Sequence, residues 1–280
     1  MDSSIPRNIF SERDSSGRGF FAYEVNEGTE GCGRGCRPLP KCLKEAQHER
    51  TKCSQHWYEW DWAAAEREFK QALKLSPDNG DAYGLYAWYL AALGRKDEAI
   101  ATAAQAQRVD PLSLLGNFGP GSISVFTRQW GLATQQLRGA IDLDATYWLD
   151  HIFLGRAYEQ QNRLPDAFVS FENAMKLDQD HAEIWSALGH AYAVSGNQAE
   201  ARKVLDRLQD SKTLSYVAPY NVAIVYAGLG NRDQTFAWLD RAYRQRSYYL
   251  PVYLTTDARL DGLHGDPRFV DLRRRIGLPE

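Results

Sequence analysis

The sequence predicts an all-α fold, a right-handed α-solenoid of 34-residue helix-turn-helix repeats with a C-terminal capping helix. Two observations lead to this prediction. Apolar and small residues recur at helical spacing in paired segments, and the pattern returns every 34 residues without an insertion from about residue 60 to residue 249. A residue that tolerates the left-handed conformation separates the two segments in most units, at Gly94, Asn162, Gly196 and Gly230.

The unit at residues 148–181 shows the pattern most clearly, as two amphipathic segments joined by a tight turn. Asn162 is predicted to end the first helix in the left-handed conformation, and Asp166 is predicted to cap the second. The residues at helical spacing in this unit are Leu154, Gly155, Tyr158, Ala167, Phe171 and Ala174.

A 34-residue period is that of tetratricopeptide repeats (TPRs), and the chain resembles this family. More narrowly, it resembles the C-terminal TPR arrays of bacterial winged-helix transcriptional regulators, serine/threonine kinases and cyclase-like signalling proteins. The resemblance covers roughly residues 59 to 280 and rests on the stretches EWDWAAAEREFKQALKLSPDN, YLAALGRKDEAI, YAVSGNQAEAR, PYNVAIVYAGLGNRDQTFAWLDRAY and GDPRFVDLRRRIG. It implies a regulatory or interaction array of a signalling protein whose effector domain is missing here.

We divide the chain into four parts. Residues 1–45 lack periodicity and are expected to be a disordered or irregular arm, and residues 46–79 form a degenerate first repeat with only its second helix intact. Residues 80–249 hold five repeats, and residues 250–280 form the C-terminal cap, whose last helix starts at Asp266 and Pro267. The abrupt change near residue 58 suggests that the first 50 or so residues are not the family's own sequence.

Glycine and proline crowd the first helix of the third repeat, at Gly116, Gly119, Pro120 and Gly121. Proline costs roughly 3 kcal/mol inside a helix and each glycine close to 1. We therefore expect this helix to be short, kinked or mobile.

Composition excludes several functional classes. A net charge of -3 and a pI of about 6.1 do not fit a nucleic-acid-binding domain. No run of 18 apolar residues and no secretory leader occur, so no membrane association and a cytoplasmic location are expected. Cys32, Cys36, Cys42 and Cys53 lack the paired spacing of zinc knuckles, so no metal is expected.

No motif for catalysis or cofactor binding is present: neither a Walker loop nor the H-E-x-x-H and G-x-S-x-G patterns occur. The histidines are scattered along the chain. We therefore predict no enzyme activity, no catalytic residue and no cofactor.

The shape of the stack is the remaining guide to function, because the first helices of a TPR stack line a concave groove. Aromatic and arginine side chains are the usual anchors of an interface. A second interpretation is that these side chains are buried between helices and recognise nothing. The residues predicted to line a partner-binding groove are Trp88, Phe118, Ile152, Arg156, Glu159, His190, Tyr220 and Ile224.

The leading functional hypothesis is a protein–protein interaction scaffold that holds a peptide or helix in this groove. The alternative is a small-ligand-sensing array of a multidomain signalling protein, and a third is an enzyme fragment that retains only its regulatory array. The partner is expected to be a protein or peptide and not a nucleic acid. Exposed repeat ends, such as that of the damaged first repeat, suggest a homodimer.

Overall fold

The computed structural model describes residues 57, 59–210, 214 and 216–279, and they form an all-helical fold with no strand in this part of the chain. The α-helices are α1 (Trp62–Leu75), α2 (Gly80–Ala92), α3 (Lys96–Val109), α4 (Leu114–Phe126), α5 (Trp130–Leu143), α6 (Trp148–Gln160), α7 (Leu164–Leu177), α8 (Ala182–Val194), α9 (Gln198–Gln209), α10 (Pro219–Gly228), α11 (Arg232–Arg244), α12 (Leu250–Thr256) and α13 (Pro267–Ile276). A 3₁₀ helix, Ala258–Leu263, links α12 to α13.

Each repeat is a pair of antiparallel helices, and successive pairs stack in register. The first helix of a pair packs on its own second helix, as α2 does on α3 and α6 on α7. The first helices also pack on one another in the order α2, α4, α6, α8 and α10. These five helices form the inner layer of the predicted solenoid, and the second helices form its outer layer.

Backbone geometry confirms the 34-residue register. Each described turn within a repeat contains one residue with positive φ, and from the second repeat on this residue follows the first helix as a left-handed C-terminal cap. Three of the six are not glycine, and they include the predicted Asn162. These residues are Trp60, Gly94, Arg128, Asn162, Gly196 and Gly230.

The prediction that Asp166 caps the second helix of its repeat was wrong. The N-cap of α7 is Arg163, one residue after the left-handed Asn162, so the helix starts earlier than expected. Asp166 lies in the first turn and accepts hydrogen bonds from Arg163 instead, at 2.8 Å. A carboxylate there also interacts favourably with the positive end of the helix dipole.

The prediction that the first helix of the third repeat is short was wrong. Helix α4 has 13 residues with Pro120 inside it, the same length as α2 and α6. Its glycines permit close packing, because a Cβ at Gly121 would lie 2.6 Å from Leu137 and one at Gly116 would lie 2.2 Å from the Asp110 carbonyl. Tertiary packing therefore outweighs the poor intrinsic helix propensity.

Gly155 gives a direct test of packing between the two layers. We expect Gly155→Ala to lower the free energy of unfolding by roughly 2 kcal/mol, because the added Cβ would lie 2.2 Å from a carbon of the fully buried Phe171 ring. Urea unfolding followed by circular dichroism measures the change. The matched control is Gly139→Ala in α5, where an added Cβ meets nothing within 4 Å. This control is expected to gain up to about 1 kcal/mol, and a loss at both sites would contradict the packing argument.

The C-terminal part does more than cap the end of the stack. Its last helix starts as predicted, with Asp266 as N-cap and Pro267 at the first helical position. Helix α12, however, packs against α2, whose sequence lies more than 150 residues earlier. The Thr255 hydroxyl donates a hydrogen bond of 2.8 Å to the Ala92 carbonyl. Residues 247–263, the C-terminal segment, therefore reach back across the array.

The two ends of the described chain meet. The Trp62 indole donates a 2.8 Å hydrogen bond to the Ile276 carbonyl, and Trp60 stacks on Tyr243 with ring centroids 5.0 Å apart. The Arg246 guanidinium donates to the Glu59 carbonyl at 3.0 Å. Among the described residues, these contacts join the start of the array to its C-terminal helices. The homodimer, which we based on an exposed repeat end, stays a prediction.

The N-terminal arm, residues 46–56 and 58 of the degenerate first repeat, and the four cysteines lie outside the described residues. The division of the chain at residues 45, 79 and 249 therefore stays a prediction.

Candidate functional site

The inner layer holds every residue predicted to line the groove, but the groove is not open. All eight side chains are buried, with at most 8% of any residue exposed. They lie on α2, α4, α6, α8 and α10, with the C-terminal segment packed against this face. The eight residues are Trp88, Phe118, Ile152, Arg156, Glu159, His190, Tyr220 and Ile224. Whether they bind a partner stays a prediction.

Aromatic rings form the apolar part of the inner face. Trp88 lies at its centre, with ring centroids 5.7 Å from Phe118, 5.2 Å from Phe126 and 6.0 Å from Phe153. The ring of Tyr253, from the C-terminal segment, lies 6.3 Å from Trp88 and completes the cluster. Aromatic pairs at these distances contribute beyond the area that they bury.

Glu183 is the polar centre of the inner face. Its carboxylate accepts hydrogen bonds from Arg156 at 2.6 Å, from the Tyr253 hydroxyl at 3.3 Å and from the Tyr249 hydroxyl at 3.1 Å. Burial would lower the pKa of Arg156, but the Glu183 carboxylate raises this pKa above its ordinary value. Burial, together with the Glu183 charge, raises the pKa of Tyr249 and Tyr253 well above the ordinary value. The tyrosines therefore remain neutral hydrogen-bond donors.

A second buried carboxylate ties the end of the C-terminal segment to α10. Asp257 accepts hydrogen bonds from the Tyr220 hydroxyl at 2.7 Å and from Arg259 at 2.6 Å. Burial favours the protonated acid, but the Arg259 guanidinium outweighs it and holds the pKa of Asp257 below its usual range. Tyr220, predicted as a groove residue, thus hydrogen bonds to the chain's own segment.

Glu159 and His190 form a third buried pair, between α6 and α8. The His190 ring nitrogen lies 2.5 Å from a Glu159 carboxylate oxygen, and both side chains are almost fully buried. His190 was predicted as a groove residue, and the histidines are scattered along the sequence. The structure instead gives it a partner on the neighbouring repeat.

Arg128 holds the C-terminal segment from the rim of the inner layer. Its guanidinium donates to the Thr256 carbonyl at 2.9 Å and to the Asp261 carboxylate at 2.5 Å. Arg128 also occupies one of the left-handed turn positions, with φ 63°. Among ordinary residues this conformation is uncommon, and glycine adopts it without cost.

Sequence reasoning missed the residues that the C-terminal segment brings to the site. Tyr249, Tyr253, Asp257 and Arg259 lie in the run YYLPVYLTTDAR, which we divided between the end of the last repeat, up to residue 249, and the start of the cap at residue 250. The density of aromatic residues in that run was the available signal. Nothing in the 34-residue period indicates where such a segment docks.

Two openings bear on the small-ligand alternative. A cavity of about 10 Å³ at the inner face, lined by residues that include Arg156 and Tyr253, has room for about one water molecule. A cleft of about 500 Å³ lies between α11 and α13, but its arginines Arg268 and Arg275 already pair with aspartates. No group of three or more potential metal ligands occurs among the described residues.

Fold and site together define a helical repeat protein whose inner face is occupied by its own C-terminal segment. Two stretches, residues 58–115 and 158–218, match the family model described as Tetratricopeptide repeat. Human Tetratricopeptide repeat protein 13 is 24% identical over 125 residues, which is 45% of this chain and 14% of that protein. These matches support the tetratricopeptide repeat family. The chain spans only a small part of the length of this relative.

Solved structures agree on the fold. PilW, a widely conserved type IV pilus biogenesis factor, aligns with a TM-score of 0.50 at 23% identity, over 60% of this chain and 78% of that chain. The pilF protein of Pseudomonas aeruginosa aligns with a TM-score of 0.53 at 14% identity, over 84% of this chain and all of that chain. At such identities the likeness shows the α-solenoid fold alone. In the described part of the chain, no helix is both long and apolar enough to cross a bilayer.

Proposed function

We propose that the chain is a protein-interaction scaffold whose inner face binds a peptide or helix of another protein. One observation supports this most directly: the inner face already holds a short helix, α12, through aromatic contacts and hydrogen bonds to Glu183. Aromatic anchors combined with buried polar contacts are the usual carriers of binding energy at interfaces. The tetratricopeptide repeats and the solenoid fold support the same assignment.

In this function the chain binds a regulatory partner and catalyses no reaction. The buried carboxylates of Glu159, Glu183 and Asp257 each pair with a histidine, arginine or tyrosine, as structural groups do. By resemblance, we place the scaffold in the cytoplasm of a bacterium, within signalling or transcription regulation. The partner's identity tests that context.

Site-specific photocrosslinking tests the proposal. A benzophenone amino acid is placed at Gln160, at the rim of the inner face, and separately at Val169, which is 57% exposed on α7 of the outer layer. In cells of the source organism, we expect Gln160 to crosslink to a defined protein partner and Val169 not to do so. Mass spectrometry identifies the partner, and a signalling or transcription component supports the context. Crosslinks from Val169 alone would move the binding surface to the outer layer and contradict the proposal.

A further inference from the structure

We propose that the C-terminal segment is an intramolecular ligand of the inner face. The partner, we infer, is a helical peptide of the same chemistry, with two tyrosines four residues apart followed by Asp-x-Arg, which displaces the segment. This inference rests on the proposed function and names both the partner class and the regulation of that site.

The chemistry of the segment is that of a bound ligand. Tyr249 and Tyr253 are separated by four residues, and both donate to Glu183. Arg156 lies over the Tyr253 ring with its guanidinium carbon 5.3 Å from the centroid. Asp257, four residues further on, accepts from Tyr220. A peptide that competes for this face must reproduce these two hydroxyls and this carboxylate, since otherwise Glu183 and Tyr220 lose partners in a buried site.

The segment is a candidate for release because two large contributions to its docking free energy, apolar burial and the loss of conformational entropy, oppose each other. Leu250, Tyr253, Leu254 and Leu260 are almost fully buried, which favours docking. Ordering the whole segment costs conformational entropy that offsets much of this gain. The free energy of docking is therefore a difference between large terms, and sub-global opening of such a unit can occur without unfolding the repeats. A competing peptide then binds when its concentration and affinity exceed the competition from the tethered segment, which is set by the effective concentration of that segment.

Arg128 joins the C-terminal segment to one of the left-handed turns of the repeats. The equivalent turn positions hold glycine in three repeats, and glycine adopts the left-handed conformation without strain, whereas Trp60 and Asn162 adopt it with a side chain, as Arg128 does. Arg128 adopts it with a Cβ, and its side chain reaches Thr256 and Asp261 of the C-terminal segment. The repeat thus has an unfavourable backbone residue at the position that secures the segment.

Arg128→Gly separates release from unfolding. Glycine suits φ 63°, so the turn keeps its shape while the contacts to Thr256 and Asp261 are lost. Asn162→Gly is the matched control, because it makes the same replacement at an equivalent turn, φ 56°, with an exposed side chain. Hydrogen exchange on the full chain is expected to rise at residues 250–263 in Arg128→Gly, with the repeats still protected and the control unchanged.

The binding test uses a fluorescein-labelled synthetic peptide of residues 247–263 and fluorescence anisotropy. We expect Arg128→Gly to bind this peptide with a Kd at least tenfold lower than the wild type or Asn162→Gly, because the apparent affinity follows the fraction of open inner face. A peptide with both Tyr249→Ala and Tyr253→Ala is expected to lose at least tenfold in affinity for the Arg128→Gly protein.

Three results would overturn the inference. In the first, Arg128→Gly and the wild type bind the peptide equally although hydrogen exchange at residues 250–263 has risen. In the second, the Arg128→Gly protein binds the tyrosine-free peptide as tightly as the original peptide. In the third, Arg128→Gly is a dimer in light scattering. The dimer would make a second copy of the chain the occupant. These results are distinct from failure of the proposed function, because a partner captured at Gln160 would still establish the scaffold without the exchange mechanism.

Discussion

Arg156→Met is expected to lower the free energy of unfolding by about 3–5 kcal/mol, because it leaves a buried carboxylate without its cation. The side chains of Arg156 and Glu183 are only 6% and 3% exposed, and their atoms lie 2.6 Å apart. Glu183 would keep its two tyrosine donors, but these are neutral and do not replace the guanidinium charge. Urea unfolding at pH 7 measures the loss.

Two comparisons separate charge from packing in that result. The double variant Arg156→Met/Glu183→Gln removes both charges, and we expect it to recover more than half of the lost stability. Arg163→Met breaks an ion pair whose side chains are 44% and 48% exposed, so its effect should stay below about 1 kcal/mol. If the double variant were no more stable than Arg156→Met, lost packing against Phe153 and Tyr253 would be the cause instead.

The repeat architecture was predictable because each determinant is local. A helix pair is specified by small and apolar residues within a 34-residue window, and its turn is specified by one left-handed residue such as Gly94. Contacts between neighbouring repeats then follow from stacking. For the same reason, the helical spacing predicts that Trp88 and Arg156 lie on the inner layer, where the structure has them.

The occupant of the inner face could not be predicted in this way. The hydrogen bond from Thr255 to Ala92 joins residues 163 positions apart, and no repeat period encodes so distant a contact. The length of helix α4 was mispredicted for a related reason. Its glycines looked unfavourable as single residues, whereas Gly121 fits a space next to Leu137 that only the packed layers create. In both cases the deciding interaction lies outside the local window from which propensities are derived.

Asp150 makes the stability of the fold depend on pH, and Asp150→Asn should remove that dependence. Burial raises the pKa of Asp150 to about 8, and the nearby charge of Asp144 adds to the shift. The folded protein thus keeps a proton on this carboxyl between pH 4 and pH 8, where the unfolded chain has lost it. Stability from this group is complete below pH 4 and falls as the pH rises towards 8. Between pH 5 and pH 7 the loss is about 2 to 3 kcal/mol.

The measurement is the difference in unfolding free energy between Asp150→Asn and the wild type, obtained from urea titrations at pH 5 and pH 7. The difference cancels the contributions of other groups, such as His151, whose pKa burial lowers. We expect it to grow in favour of Asp150→Asn by about 2 kcal/mol or more on going to pH 7. Asp166→Asn makes the same replacement at a first-turn aspartate with a side chain 48% exposed, and it serves as the matched control. A flat difference for Asp150→Asn would mean that this carboxylate is ionised in the folded protein and reaches solvent or a cation there.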